Sequence, residues 1–210
     1  MSAPLYGAQF HLVDIDNKPM VNMVVYLQAK QSDGSKPVQL KSTPNQISPP
    51  VEIHQKNKQF TPYITVIQKG YKLQFINDDD ITHHIYSAAG AKRFSFKLRK
   101  DNSTKDMLFD QVGHISMGCN IHDWMSGHVL VVDTPFFGIT DEMGRVSFDD
   151  IPDANYDLVI WHPQLLTQDN RLIHKVSLPI TETLTITVSG LMDEIPAQQS
   201  LDDFEFLEGY

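Results

Sequence analysis

A single cysteine, Cys119, stands among 210 residues, so no intrachain disulfide can form and its sulfur acts alone. Positive charge is also scarce. Lys and Arg number 17 against 26 Asp and Glu, a formal charge of −9, which argues against nucleic acid or an anionic membrane as partner, since both need a basic face. No apolar run approaches the length of a membrane span, and the first residues lack the charged-then-apolar pattern of a secretory leader. The Met-Ser-Ala start fits either a chain trimmed of a leader or a cytosolic form. Long helical periodicity is missing as well, and Thr104 to Phe109 reads as a short turn of helix at most. There is no repeat of solenoid period. Nor is there a nucleophile elbow, a phosphate loop or an HExxH motif, so the sequence offers no familiar hydrolytic or nucleotide chemistry.

What the chain does have is a succession of short apolar runs broken by 12 prolines and 11 glycines, the pattern of a turn-rich β protein. Its length suits one large or two small domains, and 41% hydrophobic residues suffice for a core. Gln9 to Val13 alternates, Asp14 to Pro19 supplies turn chemistry, and Met23 to Leu27 resumes, which predicts a hairpin. Residues 31–50 are rich in Ser, Lys, Gln, Asn and Pro and read as a loop or linker. Strands are predicted at Val51 to His54, Tyr63 to Ile67, Lys72 to Ile76, His84 to Ser87, Ile115 to Gly118 and Gly127 to Val132. The final third repeats the theme at Val146 to Phe148, Leu158 to Trp161, Val176 to Pro179 and Leu184 to Val188. An acidic tail begins at Leu191.

The string Gly118-Cys119-Asn120-Ile121-His122-Asp123-Trp124-Met125-Ser126-Gly127 carries the chemistry. At C-x-x-H-x-x-M spacing, one short loop offers a thiolate, an imidazole and a thioether. Soft sulfur beside imidazole favours copper, and two His with one Cys plus a weak axial Met is an electron-transfer ligand set. One imidazole is still missing, and the pair His83-His84 upstream can supply it. Adjacent strand side chains point to opposite faces, so only one of the two is expected to reach the metal. Other histidines lack ligand spacing, and His114 and His128 read as ordinary strand residues. Asp78-Asp79-Asp80 lacks the spaced oxygen donors and terminal Glu of a calcium loop, so it reads as a solvated turn.

With these residues in view, Val51 to Asp133 resembles the cupredoxin family, its amicyanin-like short-loop members above all. The ligand loop matches, as do Phe60-Thr61-Pro62, Gly70, Phe75-Ile76-Asn77-Asp78 and Thr82-His83-His84-Ile85 upstream. The resemblance implies a Greek-key β-sandwich holding one copper ion through His83, Cys119, His122 and Met125, with His83 rather than His84 as the upstream ligand. It also implies that His122 turns an edge to solvent within an apolar patch of Ile121, Trp124 and Met125. Two departures stand out: His84 replaces the family's Asn, and Asp123-Trp124 replaces Pro-Phe. An imidazole can both donate and accept, as the tie between the two ligand segments requires.

A second resemblance covers the flanks. Gly7 to Pro19 with Val24 to Leu27 is similar to the opening hairpin of carboxypeptidase regulatory, transthyretin-like domains. Their usual continuation appears only later, as Thr140-Asp141-Glu142-Met143-Gly144-Arg145, Val146 to Phe148 and Ile151 to Tyr156. The expected architecture is thus all-β, a cupredoxin sandwich (51–133) inserted into a transthyretin-like sandwich (1–50 and 134–190), with a tail at 191–210. The whole chain, through Trp161-His162-Pro163, also resembles bacterial periplasmic proteins often labelled methylamine utilisation proteins, which implies a periplasmic location. The function expected is a one-electron carrier, not an enzyme, working with a redox protein. A copper store or chaperone, and a sensory or scaffold module, are the alternatives. Met residues are scattered rather than gathered in a tract suited to copper delivery.

Overall fold

A computed structural model describes residues 5–29, 50–100 and 102–196. The loop expected over 31–50 lies outside the described residues except for Pro50, as does the tail beyond Pro196. Among the described residues the structure is all-β, with one short 3-10 turn at Gln168–Asn170. No helix among the described residues is long and apolar enough to cross a membrane. The chain divides into two compact units, one from residues 1–43 and 133–194 and one drawn mainly from the stretch between them, residues 44–132.

The first unit uses β1 (Leu5–Val13) and β2 (Val24–Ala29) from the start of the chain. The middle of the chain forms β3 (Val51–Lys56), β4 (Gln59–Thr61), β5 (Ile64–Gln68), β6 (Tyr71–Asn77), β7 (His83–Ser87), β8 (Phe94–Leu98), β9 (Thr104–Phe109), β10 (Gly113–Cys119) and β11 (His122–Val132). The first unit is then completed by β12 (Phe137–Ile139), β13 (Arg145–Pro152), β14 (Asn155–Trp161), β15 (Arg171–Ser177) and β16 (Leu184–Thr187).

In the first unit, one sheet runs β13-β1-β16 and the other β12-β2-β14-β15. β1 pairs antiparallel with β13, Phe10 opposite Val146, and β2 pairs antiparallel with β14, Leu27 opposite Leu158. β1 and β2 therefore lie in different sheets rather than forming the expected hairpin, and every strand paired with either lies more than a hundred residues further on. One apolar cluster draws on both sheets, with Phe10, Leu12 and Phe148 from one and Leu27, Leu158 and Ile160 from the other. Local chemistry at the Asp141–Arg145 turn secures the joint. Asp141 Oδ1 accepts from the N–H groups of Met143 and Arg145, the Asx geometry of a tight turn, here one that carries the chain from one sheet to the other. Gly144 takes φ +69, and a Cβ there would come within 2.4 Å of the Leu12 carbonyl oxygen, so only glycine lets this turn dock on β1. Thr140 Oγ1 donates to the Met20 carbonyl and accepts from the Met23 N–H, tying both halves at a buried position.

The second unit pairs a sheet ordered β4-β3-β6-β9 with one ordered β5-β11-β10-β7-β8. Ile53, Leu73, Phe75 and Phe109 from the first sheet meet Ile85, Ile115, Met117 and Val129 from the second in one core. Two pairings are parallel, β3 with β6 and β5 with β11, which short hairpins cannot make. Two expectations change here. Thr104 to Phe109 is not helical but the edge strand β9, paired along its length with β6 from Tyr71↔Phe109 to Ile76↔Thr104. Its Asp106 and Leu108 face solvent while Met107 is half-buried and Phe109 buried, a two-residue period that lapses at Thr104 and Lys105, both exposed. Phe94–Leu98, not expected as a strand, forms β8 beside β7.

Candidate metal centre

β7 opens at His83. Its side chains alternate, so His83 and Ile85 enter the core while His84 points to the other face. β10 ends at Cys119 and β11 begins at His122, the two residues paired across a tight turn at Asn120 and Ile121. β7 and β10 are neighbours, with Cys119 opposite Ile85 and Gly118 opposite Tyr86. The approach is close: a Cβ at Gly118 would sit 3.1 Å from the Tyr86 ring, which would have to shift by a few tenths of an ångström.

These placements bring three donors together. Cys119 Sγ lies 3.7 Å from His83 Nδ1 and 3.6 Å from His122 Nδ1, and all three atoms fall within 4.8 Å of one another. Exposure is 0% for His83, 4% for Cys119 and 9% for His122, so the group is enclosed with a narrow opening at His122. Met125, three residues along β11, is 1% exposed and belongs to the same apolar core as Cys119. It is therefore not part of an exposed patch, where only Ile121, 55% exposed, stands out. Trp124 lies between these extremes, its ring centroid 5.3 Å from that of His122.

The donor set suits a soft metal ion. Metal–sulfur and metal–nitrogen bonds of about 2.3 and 2.0 Å at an angle near 120° separate sulfur from nitrogen by about 3.7 Å. The two observed S···N separations match that figure, so the thiolate and each imidazole already stand at the spacing that a shared metal ion would set.

Electrostatics favour the thiolate. Burial pushes the Cys119 thiol up, but the His83 hydrogen bond, the N–H groups of Ile121 and His84 and the His83 charge together hold it below the ordinary range. Burial likewise pushes His83 down, and its contacts with Cys119 and Asp79 outweigh this and raise it. The pair thus leans toward thiolate and imidazolium, and a metal cation can take the imidazolium proton's place.

The surroundings fix each ligand segment. His84 Nδ1 lies 3.1 Å from Asn120 Nδ2, and its Nε2 lies 2.8 Å from Ser95 Oγ. With Asn120 donating to Nδ1 and Nε2–H donating to Ser95, the imidazole bridges the ligand loop to β8. Asp79 was expected in a solvated turn, yet its side chain is 11% exposed and its Oδ2 is 2.7 Å from His83 Nε2. Three consecutive aspartates look hydrophilic in sequence. Only the fold sets the middle one against a core histidine, and the i,i+4 spacing from Asp79 to His83 was the one available signal. His114 and His128 are strand residues, as expected, but they stack and meet through Nε2 and Nδ1 at 2.8 Å, with Tyr63 OH 3.1 Å from His128 Nε2.

No family model and no curated protein sequence matches the chain. Solved structures that resemble part of it include a copper-containing nitrite reductase from Thermus scotoductus SA-01, 21% identical over 50% of this chain, TM-score 0.39. The chain spans only 25% of that reductase. A purple cupredoxin from Nitrosopumilus maritimus is 23% identical, matching 39% of this chain and 99% of its own, TM-score 0.36. An oxidised amicyanin variant is 17% identical, matching 40% of this chain and 82% of its own, TM-score 0.37. With every TM-score here below 0.5, the donor geometry and not overall likeness carries the functional reading.

Proposed function

We propose that this chain is a one-electron carrier built on a single type 1 copper site with His83, Cys119 and His122 as the strong ligands and Met125 as the weak axial one. The observation that carries the proposal is the buried S···N geometry, 3.6 and 3.7 Å around one sulfur. Copper, when bound, supplies a one-electron couple. The residues supply the rest. β7, β10 and β11 hold the donors from three paired strands, which limits their movement when charge changes. Cys119 favours the thiolate, and His122 gives the narrow solvent edge at which a redox protein would dock beside Ile121.

In the same proposal the middle unit is a cupredoxin sandwich, residues 51–133, inserted into a transthyretin-like host formed by 1–50 and 134–190, with 191–210 as a tail. Pairing of β1 with β13 and of β2 with β14 supports that division. A periplasmic location accompanies it on the sequence resemblance alone. Titration with copper(II) tests the centre: one equivalent should bind and produce intense visible thiolate-to-copper absorption, which Cys119→Ser should remove. Weak, ordinary copper bands in the wild type would defeat the assignment.

A further inference from the structure

Asp79 accepts three hydrogen bonds inside the second unit. Asn57 N–H donates to Oδ1 at 2.6 Å, and Lys58 N–H donates to Oδ2 at 3.0 Å. His83 Nε2 meets the same Oδ2 at 2.7 Å. Asn57 and Lys58 both adopt left-handed backbone, φ 56 and 55, which turns two successive amides toward one anion. Asp79 is also held from behind. Its own N–H donates to Asn77 Oδ1, and Asn77 Nδ2 donates to the carbonyls of Ile81, Leu98 and Arg99. This is a preformed carboxylate seat, set against the far nitrogen of one candidate ligand.

We propose that Asp79 is a positioning residue for the centre, keeping the His83 proton on Nε2 so that Nδ1 faces the metal, and biasing the site toward the dication of its ion. This rests on the copper reading above. The physical case has two parts. A carboxylate accepting from the remote nitrogen of a metal-binding imidazole selects its tautomer and strengthens it as a donor. A negative charge that solvent barely reaches is weakly screened, so it favours the more positive of two oxidation states. The same turn also reaches the other ligand segment, because Trp124 Nε1 donates to the Lys58 carbonyl at 3.3 Å. Asp79 thereby links the mounting of His83 to the loop that carries His122.

The test compares wild type with Asp79→Asn and Asp79→Ala, their fold checked by amide NMR. In metal-free protein at alkaline pH, long-range nitrogen–proton NMR reads the His83 tautomer. Wild type should show Nε2–H alone, and Asp79→Ala, which has no acceptor, should lose that single form; Asp79→Asn can still accept through its amide oxygen and isolates the effect of the charge. Copper(II) affinity should fall about 10- to 100-fold, the usual effect of removing such a partner. Copper(I) affinity should fall less, and each tenfold difference between the two raises the potential by about 59 mV. An unchanged tautomer in Asp79→Ala, or equal loss of affinity for both ions in the two variants, would overturn the proposal. If wild type lacked the intense visible band, the copper reading would fail, while the metal-free tautomer measurement would still decide the role of Asp79.

Discussion

Mild acid should destabilise the first unit through one buried histidine. His162 is 2% exposed, and its Nδ1 accepts a hydrogen bond from the Gln164 N–H at 3.2 Å. Charging the ring puts a proton where that N–H already points and leaves a cation without water. Burial accordingly lowers His162 from the ordinary 6.5 to about 4. The sign follows from proton counts. Between those values the unfolded chain binds the proton and the folded one refuses it, so stability is lost as pH falls and nothing changes above the higher value. The gap corresponds to a full loss of about 3 kcal/mol, of which about 2 kcal/mol should be gone on moving from about pH 7.5 to pH 5. His162→Gln removes the titration, while His114 and His174, which burial also lowers, remain in both proteins and cancel in the comparison. Because the chain has two units, urea unfolding should be followed at the NMR amide signals of β14, which report the unit containing His162. Equal pH slopes in wild type and variant would refute the argument. A steeper slope in the variant would reverse its sign.

Other perturbations separate the roles of neighbouring residues. His83→Ala should abolish the visible thiolate–copper spectrum, whereas His84→Asn should preserve it with a shifted potential; optical titration of both variants distinguishes ligand from bridge. Met125→Leu should keep the colour and raise the potential, since an axial thioether tunes more than it holds; voltammetry measures the rise, and complete loss of copper would contradict it. Gly90→Ala should cost more than about 2 kcal/mol in urea unfolding, because this position has φ +87 and its Cβ would meet the His114 carbonyl oxygen at 2.2 Å.

Legibility in sequence followed the range of the interaction. The centre could be read because three of its candidate donors share one loop and the fourth falls at a conspicuous histidine pair. Strand alternation allowed only one of His83 and His84 to serve as a donor, the family resemblance chose His83, and the burial of the two residues agrees with that choice. Phe94 to Leu98 alternates cleanly enough to have been recognised. It was hidden by its exposed Ser95 and Lys97 and by half-buried aromatics, which suit the end strand of a sheet. Thr104 to Phe109 misled for a different reason. Its local preferences are weak, and the hydrogen bonds that make it a strand come from β6, some thirty residues earlier. Asp79 was the least legible. Its partners at Asn57, Lys58 and His83 acquire meaning only when the β3–β4 turn folds over the aspartate turn, and composition carries no trace of that meeting.

The long gap between β1 and its partner has a consequence for biosynthesis. Ribosomes add roughly 5–20 residues per second, so about 130 intervening residues delay β13 behind β1 by roughly 6–26 s. For that interval Phe10, Leu12, Val25 and Leu27, all fully buried in the finished protein, have no strand to cover them. The nascent N-terminus is then an unpaired apolar ribbon, the kind of segment that chaperones bind and that aggregates when they do not. The middle unit faces no such wait, since its strands are all made once Val132 has emerged, and every candidate copper donor lies before that point. Translation order therefore lets the unit with the candidate donors assemble while the other unit is still incomplete.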